Sequence, residues 1–126
     1  MLISRFDAGL YFGTADVRSA GTTALSNVLE IGKADPSRMN VEIHVATAGA
    51  GGTNMQFVVQ GSDDNSTYAT VAESPVIATA SLVKDAHFQI GIPQGFKNKY
   101  MRVAVVSTGT FTAGTVEASL DVYTGV

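Results

Sequence analysis

Apolar and polar residues alternate with a period of two along much of this chain. Val41, Ile43 and Val45 alternate with Asn40, Glu42 and His44 over residues 40–46. Met55, Phe57 and Val59 recur in the same way over 55–60. Val116, Ala118, Leu120 and Val122 alternate with Glu117, Ser119, Asp121 and Tyr123 over 115–123. Successive side chains of a strand point to opposite faces, so each run predicts a half-buried β-strand. The pattern is richest over 86–107. Phe88, Ile90 and Ile92 share one face there, opposite His87, Gln89 and Gly91. Pro93 ends that strand because it has no N–H for the ladder, and Gly95 and Asn98 supply turn chemistry. In the next strand, 100–106, both faces are apolar around Arg102, which predicts a central position in a sheet or a face that meets a partner. Arg102 itself is expected to pair with an acid on a facing strand.

The weaker patterns fill in the rest. SNVLEIG at 26–32 predicts a short strand closed by Gly32, and 68–73 returns along 55–60 after the polar turn GSDDNST. Residues 16–25 are small and polar and predict a linking loop or a weak edge. Residues 47–53 and 108–114 predict loops of small residues, the second around Phe111; residues 74–84, with Pro75, predict an irregular crossing. Single helical turns are predicted only at 35–39 and 81–85. Residues 1–15 are apolar, with Leu2, Ile3, Phe6, Leu10, Tyr11 and Phe12. They predict a first strand on the parent core or, as the second reading, an arm on a neighbouring subunit. The sum is one all-β domain over 1–126, a jelly-roll-like antiparallel β-sandwich with about eight strands and long loops.

Composition changes this picture in one respect. Charged residues make up only 15% of the chain, against about 25% in soluble domains generally. A surface so poor in charge predicts contact with other copies or with a larger assembly. The net charge of −3 comes without a basic patch, so nucleic acid is not an expected partner. The chain has no cysteine, which excludes disulfides and a thiolate nucleophile. The first residues, MLISRFDAGLYFG, do not read as a secretory signal. No apolar run reaches the roughly 20 residues of a membrane helix. A soluble protein made in the cytoplasm is expected.

Candidate chemistry is sparse. His44 and His87 are the only histidines, each on the polar face of a predicted strand, where a cross-strand or exposed role is expected. No H-E-x-x-H, G-x-S-x-G or Walker-type loop occurs. Asp63 and Asp64 are the best metal candidates, since calcium takes oxygen ligands from acidic turns. The same Asp, Asn and Ser residues serve an ordinary turn by bonding the local backbone. Neither a catalytic residue nor a cofactor is expected.

Four segments carry a joint pattern: SNVLEIG at 26–32, VVQGSDDNSTYATVAES at 58–74, IPQGFKNKYMRVAVV at 92–106 and TGTFTAGTVEASL at 108–120. Together they resemble the jelly-roll cement (decoration) proteins of tailed bacteriophage capsids, and are similar to the type found on a short-tailed Bordetella phage. The third contains Pro-x-Gly followed by a basic residue, Tyr, an aliphatic residue and Arg, as in that family. The resemblance implies a structural protein on the outer surface of a virion shell. Its partners would be the major capsid protein and its own copies, as a dimer or trimer. Leu2, Ile3 and Phe6 of the arm, with Thr47, Thr53 and Phe111 of the loop tips, are then the expected contacts. The alternative is a carbohydrate- or receptor-binding module of a fibre or base plate, which needs exposed aromatics such as Tyr68, Phe96, Phe111 or Tyr123.

Overall fold

The computed structural model describes residues 11–18, 20–30, 39–91 and 98–122. They form ten strands: β1 (Tyr11–Asp16), β2 (Gly21–Ala24), β3 (Leu29–Glu30), β4 (Met39–Ala50), β5 (Asn54–Ser62), β6 (Ala69–Glu73), β7 (Ile77–Ala78), β8 (His87–Gly91), β9 (Tyr100–Thr108) and β10 (Ala113–Val122). Two antiparallel sheets face each other. One has the order β1-β10-β4-β8; the other runs β2-β9-β5-β6, with β3 also on β9 and β7 also on β5. Counting β2 with β3 and β6 with β7 as one interrupted edge strand each reduces ten strands to eight. In that count the sheets read 1-8-3-6 and 2-7-4-5, which is the jelly-roll order.

The alternation read from the sequence sets the core. Val41, Ile43 and Val45 of β4 face inward with Val116, Ala118 and Leu120 of β10, all 2% exposed or less. Met55, Phe57 and Val59 of β5 meet them from the other sheet, beside Met101, Val103 and Val105 of β9. Phe57 stacks on Phe88 of β8 with centroids 5.6 Å apart, closing the gap between the sheets. β9 is central, with β5 on one side and β2 and β3 on the other. That position explains why its second face is apolar: Ala104, opposite Val58 of β5, is fully buried on the face turned away from the core.

Several expectations change in detail. β4 runs on to Ala50, so Thr47 lies in a strand and the loop shrinks to 51–53. The strand expected at 26–32 is described only as the pair Leu29–Glu30; residues 31–38, with most of the turn expected at 35–39, lie outside the described residues. The turn expected at 81–85 is instead a 3-10 turn at Thr79–Ser81. The weak edge at 16–25 is real, as β2 on β9. Of the expected arm, 11–15 belong to β1, paired with β10 and with Phe12 fully buried. Leu2, Ile3 and Phe6 lie outside the described residues. Arg102 does not find an acid among the described residues. Its Nε–H donates to Gln60 Oε1 at 2.7 Å, and its guanidinium lies 3.9 Å from the Tyr68 ring centroid.

The loops at one end of the sandwich are tied by backbone hydrogen bonds. Thr53 N–H donates to Thr108 C=O, Thr112 N–H to Ala50 C=O, Thr79 N–H to Thr53 C=O and Phe111 N–H to Arg18 C=O, at 2.7–3.1 Å. The Phe111 ring plugs this end from inside and is 2% exposed, so it is a core residue and not the surface contact expected of it. A Cβ added at Gly52 would lie 2.1 Å from that ring. Gly52→Ala is therefore expected to cost about 1–3 kcal/mol through overpacking, read as a lower urea midpoint at unchanged slope.

Candidate functional site: a histidine bridge and an uncharged loop end

Strand register brings the polar faces of the first sheet together. His44 of β4 lies directly opposite Glu117 of β10 on one side and His87 of β8 on the other. Side chains in such directly opposed pairs are close enough to bond. His44 Nδ1 is 3.0 Å from Glu117 Oε1, and its Nε2 is 2.9 Å from Asp85 Oδ1 in the turn before β8. A carboxylate can only accept, so both contacts are satisfied as hydrogen bonds only in the imidazolium form of His44, with both ring nitrogens donating. Hydrogen bonds to Asp85 first and then to Glu117 hold its pKa above the ordinary 6.5, against the opposing effect of desolvation. The His87 ring stacks on His44 at 4.9 Å with a 24° tilt, and its Nδ1 is 3.9 Å from Glu42 Oε1. Tyr11 O–H donates to the other Glu117 oxygen at 3.3 Å. Burial first, then Glu117, pushes the Tyr11 hydroxyl above its ordinary 10.0.

All of these residues except Asp85, with Ala118 and Ser119, line an open cavity of about 250 Å³. Its chemistry is that of a bridge. His44 has no free nitrogen with which to accept a proton, since each already faces a carboxylate. The histidines stood out in the sequence as lying on polar faces, but their meeting did not. In the sequence Tyr11 stands out only as one of the apolar residues of 1–15 and Glu117 only as an outward residue of 115–123, and nothing marks Asp85. The one signal was that Glu42, His44, His87 and Glu117 all lie on outward faces of strands; which strands are neighbours was missing.

The acidic turn is spent on its own backbone. Asp64 Oδ1 accepts from the N–H groups of Ser66 and Thr67 at 2.9 Å each, and from the Ser62 hydroxyl at 2.9 Å. The Thr67 amide first, then Ser66 and Ser62, hold the Asp64 carboxyl below its ordinary range. Asn65 takes a left-handed φ of 57° and accepts from the Tyr68 hydroxyl. Asp63 Oδ1 accepts from Lys99 N–H at 3.2 Å. Among the described residues no group of three or more His, Asp or Glu is arranged to hold a metal ion.

The second feature is the tied loop end. The chain carries no charged residue between His44 and Asp63, between Glu73 and Lys84, or between Arg102 and Glu117. These three stretches supply β4–β5, the 74–83 crossing and β9–β10, and the backbone bonds above join them at one end. Thr47, Thr53, Thr108, Thr110 and Thr112 are exposed there, with Val76 at 59% and Val83 at 54% on the crossing. Arg18 stands at the margin in an ion pair with Asp16 at 3.2 Å. Thr47 and Thr53 are both exposed, and the Phe111 ring packs against Gly49 and Gly52 in the chain between them.

The fold and this surface define a class: a jelly-roll β-sandwich with one rigid, uncharged end. Residues 14–120 match the Bbp16 family model, and the chain belongs to the Bbp16 family. Membership of that family makes the chain a phage-associated protein. A solved structure described as the crystal structure of PirA is similar in fold, with a TM-score of 0.54 and 13% identity over 85% of this chain and 90% of that one. No curated protein matches.

Proposed function

We propose that the protein is a capsid cement, or decoration, protein. It binds the outer surface of a phage shell and bridges adjacent coat subunits, which stabilises the shell. Membership of the Bbp16 family is the observation that carries this reading. The physical support is the loop end. Covering a surface without charges strands no ion away from water. Loops already tied by hydrogen bonds lose little freedom on docking. Contacts that are weak singly sum to strong retention when repeated over a symmetric lattice. The partners in this reading are the major capsid protein and further copies of the chain, as a dimer or trimer, and the role is structural rather than catalytic.

The test uses the purified chain and emptied shells that lack it. Light scattering is expected to give a small oligomer. Co-sedimentation is expected to show binding, with a rise in the melting temperature of the shells. A monomer that fails to bind shells and instead retains glycans in a calcium-dependent way would overturn the reading in favour of a receptor-binding module.

A further inference from the structure

We propose that the Asp85–His44–Glu117 bridge is a proton-operated latch that pins the 83–86 turn to the outer face of the first sheet. The latch is closed while both nitrogens of His44 donate and opens when one proton leaves. This inference stands on the geometry of the bridge and does not rest on the capsid reading.

Three observations carry it. Among the described residues His44 is the side chain that ties the turn to β10, through carboxylates at 2.9 and 3.0 Å on opposite ring nitrogens. Loss of either proton converts one of those bonds into a contact between two acceptors. Asp85 holds a left-handed φ of 68°, a conformation that costs a non-glycine residue energy and persists only under restraint. The backbone supports at the turn are Asp85 N–H to Val45 C=O at 2.8 Å, Val45 N–H to Ala86 C=O at 2.9 Å and Ala86 N–H to Val83 C=O at 3.1 Å. Release of Asp85 therefore loosens a segment that carries the exposed Val83 and borders the uncharged end.

The groups facing His44 are Tyr11 from β1, Glu42 on its own strand, His87 from β8, Glu117 from β10, and Lys84 and Asp85 from the turn. Tyr11 is held above its ordinary 10.0 and stays protonated throughout. His44 is raised above 6.5, so its share of stability is complete below that value and is lost as pH rises through the raised pKa. Asp85 is lowered from 3.8 by its bond to His44, so its share is lost only as pH falls through that lowered value. The latch is closed between the two.

The test is a histidine side-chain nitrogen NMR titration with amide exchange at Asp85 and Ala86, from about pH 6 to about pH 9. His44 is expected to be doubly protonated at the lower end. As it titrates, exchange at Asp85 is expected to rise about tenfold beyond the base-catalysed increase. Asp85→Asn keeps a residue that tolerates a left-handed φ and is expected to abolish the excess. His87→Gln, which leaves both carboxylate partners of His44 in place, is expected to keep it. A neutral His44 at about pH 6, or an undiminished excess in Asp85→Asn, overturns the latch.

Discussion

Glutamate at both Thr53 and Thr110 is expected to strip the protein from capsid shells without unfolding it. Both threonines are exposed at the uncharged end, and exposed substitutions of this kind change stability by about 0.5 kcal/mol or less. Docking would force each new carboxylate out of water, and Arg18, the cation at the margin, already pairs with Asp16. Desolvating an unpaired charge costs several kcal/mol, so affinity is expected to fall by roughly a hundredfold or more. Repetition over a lattice amplifies the loss, because every copy is weakened at once. The measurement is a co-sedimentation titration beside a thermal melt of the free protein. Glutamate at Thr70, exposed on the edge strand β6, serves as the control and is expected to bind normally. Wild-type retention of the Thr53/Thr110 double variant would show that the shell contacts some other face.

That face was only half legible in the sequence. Period-two alternation is a local signal, and it located β4, β5 and β10, whose expected inward residues are buried wherever their burial is described. Apolar residues on both faces of 100–106 suit a central strand or one that meets a partner, and β9 is central in its sheet. Register is not local. Nothing near His44 says that Glu117 will lie opposite it, 73 residues away, or that His87 will stack from the other side. The latch therefore became visible only once β10-β4-β8 were adjacent. Strand extent also misled where composition did. Residues 47–50 are small and flexible in isolation, yet Ala50 and Thr47 pair with β10, so the ladder overrides a weak propensity. Phe111 was misread for a related reason. A lone aromatic in a loop of small residues looks like a surface anchor, but small residues also open the space for a ring to turn inward.

The inward position of Phe111 leads to the largest stability effect expected of a single substitution in the loops. Phe111→Ala removes a ring that is 2% exposed and packed beneath 49–52. Phenylalanine-to-alanine changes in a core cost about 3–5 kcal/mol through lost transfer energy and the cavity left behind. That is a large fraction of the 5–15 kcal/mol by which domains are stable in total, and corresponds to a fall in Tm on the order of 10–20 °C. A surface contact would show almost no loss in the free protein, so thermal unfolding without any partner separates the two roles. A double-mutant cycle sharpens the assignment. Gly52→Ala is destabilising because its new Cβ meets the Phe111 ring at 2.1 Å. In the Phe111→Ala background the ring is gone and the methyl group enters the vacated space. The double variant is therefore expected to be more stable than the sum of the singles predicts, by about 1–2 kcal/mol. Strict additivity would mean that Gly52 and Phe111 do not touch, and the loop end would then lack the internal plug that holds its threonines in one rigid surface.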